Sequence, residues 1–163
     1  MRESPKVSGP PAGVGLVFDV SMWPMVVIGM PPVMVDDDIV YMRECYEHVF
    51  AAPSRHALIV DTTKIARVPQ ATMRRQLKEF EDSNRPIIRE KNIGSAIILQ
   101  SALVRGAYTA LRWISPQPAP NKAFSSMEAA ARWCVEGIEA DGQVVPIAAY
   151  AVAKLANNGA SHT

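Results

Sequence analysis

His56-Ala57-Leu58-Ile59-Val60-Asp61-Thr62-Thr63-Lys64 is the stretch on which the fold turns. Ala57 to Val60 is an unbroken apolar run between polar brackets, the pattern of a strand covered on both faces. Such a strand needs helices on either side of its sheet, so the flanking sequence should alternate helix and strand. Upstream, Asp36-Asp37-Asp38 supplies the acceptors and negative charge that suit a solvated helix N-terminus. Ile39, Met42, Tyr46, Val49 and Phe50 then recur at helical spacing, predicting a helix over 37–51 that Pro53 ends. Downstream, Pro69 sits in the first turn of a second helix, 70–85, with Met73, Leu77 and Phe80 on its inner stripe. Pro86 should kink or end that helix.

Further out the alternation continues. Gly15 to Val20 and Met25 to Gly29 read as two strands joined by a turn over Ser21 to Pro24. Ile93 to Leu99 is the next buried strand. Ser101 caps a helix over 102–113 carrying Leu103, Ala107, Leu111 and Ile114. Pro116, Pro118 and Pro120 make a stiff connector, followed by a short edge strand around Lys122 to Phe124. Ser125 and Glu128 have the capping-box spacing for a helix over 126–139, with Met127, Ala130, Ala131, Cys134 and Ile138 facing inward. Val144 to Leu155, with Pro146 in its first turn, reads as a terminal helix, and Asn157 to Thr163 as a frayed tail. The expected architecture is a single α/β domain with a mostly parallel sheet of about five strands and four to five helices, in the order ββαβαβαβα. Residues 1–13 read as a flexible N-terminal segment, 14–140 as the domain and 141–163 as a C-terminal extension.

With 163 residues, 48% of them apolar and 20% charged, the chain has the composition of one ordinary globular domain. A net charge of +1 gives no bulk attraction to nucleic acid or an anionic membrane. Two cysteines are too few for a disulfide framework or a cysteine-based zinc site. No apolar core of a secretory signal follows the charged start, and the apolar stretch Val20 to Val35 is broken by Pro24, Pro31 and Pro32. The sequence therefore predicts a cytoplasmic protein with reduced thiols and no membrane span.

Catalytic patterns are missing. Gly9 to Gly15 holds three glycines but precedes the first strand, and no phosphate-loop or GxGxxG spacing appears. No serine stands in a GxSxG elbow. His48, His56 and His162 form no pair with ligand spacing and read as solvated or locally bonded. Cys45 and Cys134 fall on inner helical stripes, where cysteine acts as a small hydrophobe. The reading is a non-enzymatic domain with no cofactor and no metal.

The most polar loop lies behind the central strand, from Asp61 to Thr72. In open α/β sheets, ligands and partners are met at the carboxyl ends of strands, where loops and helix N-termini converge. Residues 64 to 91 carry a local net charge of +4 without interleaved base-stacking aromatics, which suits an acidic protein partner or a phosphate group better than nucleic acid. Met22, Met25, Met30 and Met34 bring a second reading, a small apolar or anionic ligand held between the sheet and a mobile helix.

The order of elements resembles that of STAS domains, the fold of anti-sigma-factor antagonists, and in particular the bacterial STAS/Sec14-like group. The strand His56 to Asp61 with its threonine loop is similar to the family's central strand and signature loop, and Arg105 to Trp113 and Phe124 to Trp133 look like the family's tail half. The resemblance implies a regulatory or scaffolding module. Its protein partner would meet Asp61, Thr62, Thr63, Lys64, Arg67, Gln70, Thr72, Arg74 and Arg75, and a homodimer is compatible with it. Phosphorylated members carry an Asp-Ser-Ser-Gly-like segment at the helix start; here Pro69-Gln70-Ala71-Thr72 stands there, leaving Thr72 as the nearest hydroxyl for phosphorylation.

Overall fold

A computed structural model describes residues 3–114 and 117–155; the side chains of 110–114 lie outside that description. The chain runs β1 (Val17–Met22), β2 (Met25–Gly29), α1 (Asp36–Ala51), β3 (His56–Asp61), α2 (Ala71–Lys91), β4 (Asn92–Ile98), α3 (Ala102–Ile114), β5 (Asn121–Phe124), α4 (Met127–Ala140) and α5 (Ile147–Val152). The five strands form one sheet in the order β1-β2-β3-β4-β5. Only β1 and β2 pair antiparallel; every later neighbour is parallel. The core contacts place α1, α2 and α3 on one face, as right-handed crossovers stepping in one direction across the sheet require. The last two helices take the other.

Side-chain alternation divides the core accordingly. Val26, Ile28 and Leu58 pack under α1 and the start of α2, whereas Met25, Ala57, Ile59, Ala96 and Ile98 pack under α4 and α5. Ile59 is completely buried, as its place in the central strand requires. Each buried Val, Leu, Ile or Met side chain here contributes about 1.5–3 kcal/mol on leaving water, and the alanines less. Ile97, Leu99 and Val104 make a smaller cluster beneath α3. The N-terminal segment is tied to the domain: Tyr41 Oη donates to the Ser8 carbonyl at 2.8 Å, and Val7 packs on the core.

Local details depart from the sequence reading in three places. The α2 helix does not stop or break at Pro86 but continues to Lys91. Proline removes one intrahelical N–H donor, and tertiary anchors hold the following turn. Lys91 Nζ donates to the carbonyls of Ala52 and Pro53 at 3.0 and 3.4 Å, and Arg55 Nε donates to that of Glu90 at 3.1 Å. The cap of α4 is Ser126, one residue later than the expected Ser125, with its hydroxyl accepting Ala129 N–H at 3.2 Å. Asp38 is no part of a solvated capping cluster: it is 1% exposed and turns back inside the fold, whereas Asp36 and Asp37 are exposed. Leu111, Ile114, Pro116 and the tail from Asn157, all placed by the sequence reading, lie outside the described side chains or residues. Among the described residues no helix is long and apolar enough to cross a membrane.

Candidate functional site

The α2 helix is amphipathic, yet Met73 is its single buried residue. Leu77 and Phe80 reach the core only part-way, so the helix roofs the sheet and leaves space beneath it. A cavity of about 240 Å3 lies there, floored by Leu58 and Val60 of β3 and Ile97 of β4 and walled by Tyr46 and Phe50 of α1. A neighbouring cavity of about 290 Å3 extends towards α3 and is lined by Thr62, Ile65, Val68, Arg74, Val104 and Tyr108. The two share Met30, Val60, Leu77, Glu81, Ile97 and Gln117, so one roof helix and one strip of sheet serve both.

His56 is the polar residue set deepest in the first cavity. It opens β3 on the face that also carries Leu58 and Val60, since residues two apart on a strand share a face. It is 1% exposed and its Nδ1 has no hydrogen-bond partner. Burial, reinforced by the positive charges of Lys91 and Arg55, lowers its pKa from the usual 6.5 to about 4. The imidazole is therefore neutral at physiological pH, with one nitrogen unspent. An unpaired buried polar group of this kind is uncommon in folded proteins.

Two neighbours along β4 are bonded to each other. The register of β3 and β4 slips between His56–Asn92 and Ala57–Gly94, leaving Ile93 as an extra residue. The slip brings Asn92 and Ser95 to the same cavity although they are three positions apart. Asn92 Nδ2 donates to Ser95 Oγ at 2.8 Å, and Asn92 Oδ1 accepts Gly94 N–H at 2.8 Å.

Glu81 also lines this space. Its Oε1 is buried without a hydrogen bond, and the Arg85 guanidinium stands 3.7 Å away. Burial raises the carboxyl pKa despite Arg85. Tyr46 is pushed upward as well, by burial first and by the charge of Glu81 second. The rings of Tyr46, Phe50 and Phe80 pack together, with centroids 5.1 to 6.5 Å apart.

The loop singled out in the sequence stands at the carboxyl end of β3. Thr63, Lys64, Arg67, Gln70, Thr72 and Arg75 are exposed, while Asp61 and Arg74 are half-buried. The loop is held by Ala66 N–H and Arg67 N–H, which donate to the Pro32 carbonyl at 2.9 and 3.3 Å. Asp61 Oδ1 accepts Thr63 N–H at 2.9 Å, closing an Asx turn. Arg74 Nη1 donates to the Pro69 carbonyl. Thr62 departs from the group: it is 9% exposed, and its hydroxyl donates to the Ile98 carbonyl, locking the loop to β4. A partner would find Thr62 already occupied.

Sequence reasoning missed the cavity because it treated His56 as solvated or locally bonded. The alternation that placed Leu58 and Val60 in the core also places His56 beside them, two residues earlier. Both thiols lie away from the cavity lining, buried under α1 and α4, and burial raises the pKa of each, Cys134 to about 12. Of the four methionines proposed as an adaptable surface, Met30 lines both cavities, whereas Met25 and Met34 are ordinary core. In comparisons with known proteins, no family model, no curated protein and no solved structure matches the chain.

Proposed function

We propose that this chain is a non-enzymatic binding domain that holds a small, largely apolar molecule between its sheet and α2. The observation that carries the reading is the unpartnered Nδ1 of His56, 99% out of solvent beside a cavity with mainly aliphatic and aromatic walls. Natural domains rarely leave such an atom unsatisfied, and a concave apolar site with a few unspent polar groups is the usual form of a ligand pocket. A binding role is favoured over catalysis because both thiols are buried elsewhere with raised pKa values, and a histidine with a pKa of about 4 is a weak base at neutral pH. The test is amide-resolved NMR of the full chain against a chemically diverse small-molecule library. Perturbations should cluster at Leu58, Val60, Leu77 and Phe80; a library whose hits all fall elsewhere, or that yields none, overturns the reading.

A second reading has its own support. The loop and helix start from Asp61 to Arg75 expose Lys64, Arg67 and Arg75 together, and Arg74 stands between this surface and the second cavity. We infer that this edge meets an acidic protein partner, the regulatory or scaffolding role implied by the resemblance of the sequence to STAS domains. Thr72 is exposed in the first turn of α2, where a kinase could reach it. Reversing Arg67 and Arg75 to Glu should weaken a partner recovered with the parent protein and flatten the salt dependence of binding. Equal retention of that partner by parent and variant removes this reading.

A further inference from the structure

The class of ligand can be read from what the first cavity lacks. Of its polar side chains, Asn92 and Ser95 are already bonded to each other. His56 Nδ1 and Glu81 Oε1 have no hydrogen bond. Gln117 and Asn121 add two amide side chains at the rim, Asn121 Oδ1 accepting from Tyr108 Oη. The remaining walls are aliphatic or aromatic, with Tyr46, Phe50 and Phe80 forming a continuous ring cluster.

We propose that the cavity is a site for a small neutral aromatic alcohol or phenol, its ring against the Tyr46, Phe50 and Phe80 cluster and its hydroxyl bonded to His56 Nδ1. This inference rests on the ligand-binding reading above and narrows it to one chemistry.

Size is the first argument. A dry apolar cavity of about 150 Å3 accepts benzene. The 240 Å3 beneath α2 therefore holds a six-membered ring with a polar substituent. Ring preference is the second, because aromatic pairs gain edge and face contacts beyond what their buried area supplies. Neutrality is the third. A charged ligand would lose its hydration in a cavity whose own ionisable groups are driven towards their uncharged forms by the same desolvation. A carboxylate ligand would also meet the Glu81 carboxyl, a like charge when ionised. A hydroxyl suits the unspent imidazole nitrogen whichever tautomer His56 adopts, because it donates and accepts equally well.

The two ends of the roof helix are held differently. Lys91 and Arg55 anchor the last turn of α2 to the α1–β3 loop, whereas its first turn has no side-chain cap and no acidic residue. Pro86 removes a helical hydrogen bond between these two ends.

The experiment titrates the full chain, labelled with 15N, with phenol, benzyl alcohol, toluene, benzoate and benzylammonium. Phenol and benzyl alcohol should bind about fivefold or more tighter than toluene, the worth of one hydrogen bond. They should also shift the imidazole 15N signals of His56, which toluene should leave in place. His56→Phe should abolish the preference for phenol over toluene; the wild-type 15N signals carry the test if that variant does not fold. Equal binding of phenol and toluene, or tighter binding of benzoate or benzylammonium, overturns the assignment while leaving a ligand cavity in place. If none of the five perturbs Val60, Leu77 or Phe80, the assignment is overturned, and the library screen described above then decides separately whether the cavity binds any other chemistry.

Discussion

Asp38 and Leu16 are joined by a buried hydrogen bond, Leu16 N–H donating to Asp38 Oδ1 at 3.0 Å. The same oxygen accepts Gly15 N–H at 3.0 Å, and Oδ2 accepts Val35 N–H at 2.8 Å. One carboxylate in the first turn of α1 thereby fixes both the approach to β1 and the start of its own helix. Bonds of this kind to a charged acceptor are stronger than neutral ones. Asp38→Ala would strand the buried Leu16 N–H and should destabilise the domain by about 2–4 kcal/mol. Urea denaturation measures this; a loss near that of exposed Asp37→Ala would show that the carboxylate holds nothing.

His56 makes stability depend on pH in a definite direction. The unfolded imidazole takes up its proton near pH 6.5, the folded one only at about 4. Between those values the unfolded state binds more protons, so stability falls as pH is lowered through the window and then levels off. The whole effect amounts to about 3 kcal/mol at most. His56→Gln should flatten this part of the profile, and an unchanged slope in denaturation midpoints from pH 7 to 4 would show that another group is responsible.

Gly94 and Trp133 are fitted to each other across β4 and α4. A methyl group at residue 94 would stand 2.5 Å from Trp133 Cη2, closer than atoms pack. Gly94→Ala should therefore destabilise by about 1–3 kcal/mol through overpacking. Adding Trp133→Leu to that variant should recover part of the loss. A strictly additive pair of effects in the double-mutant cycle would contradict the contact.

The start of α2 is under-capped. Gln70 makes no side-chain cap bond, and no acidic residue lies in the first turn. Thr72→Glu places a negative charge among those unsatisfied N–H groups and should stabilise by a few tenths to ~1 kcal/mol at low salt. Gln70→Asp should add about 1 kcal/mol by supplying a true cap. Thermal unfolding at low and high salt distinguishes them, since the Glu effect is screened and the cap bond is largely retained.

The alternation around His56 to Asp61 was enough to specify an α/β sheet, because burial on both faces leaves a continuous apolar run that no single-faced strand needs. Periodicity in Ile39 to Phe50 and in Met73 to Phe80 located two of its covering helices for the same reason. The end of α2 was not legible: Pro86 says stop, and the anchors that overrule it come from Ala52, Pro53 and Arg55, more than thirty positions away in the chain. Asp38 was legible as a helix-start residue, but its burial depends on Gly15 and Leu16 folding across it. The cavity belongs wholly to the tertiary level. His56, Tyr46 and Glu81 each have an ordinary local role in sequence, and they become one site only because α2 lies over β3 and β4 without filling the space between. Local pattern determines which face of an element turns inward; how closely two inward faces approach is decided by contacts between segments far apart in the chain.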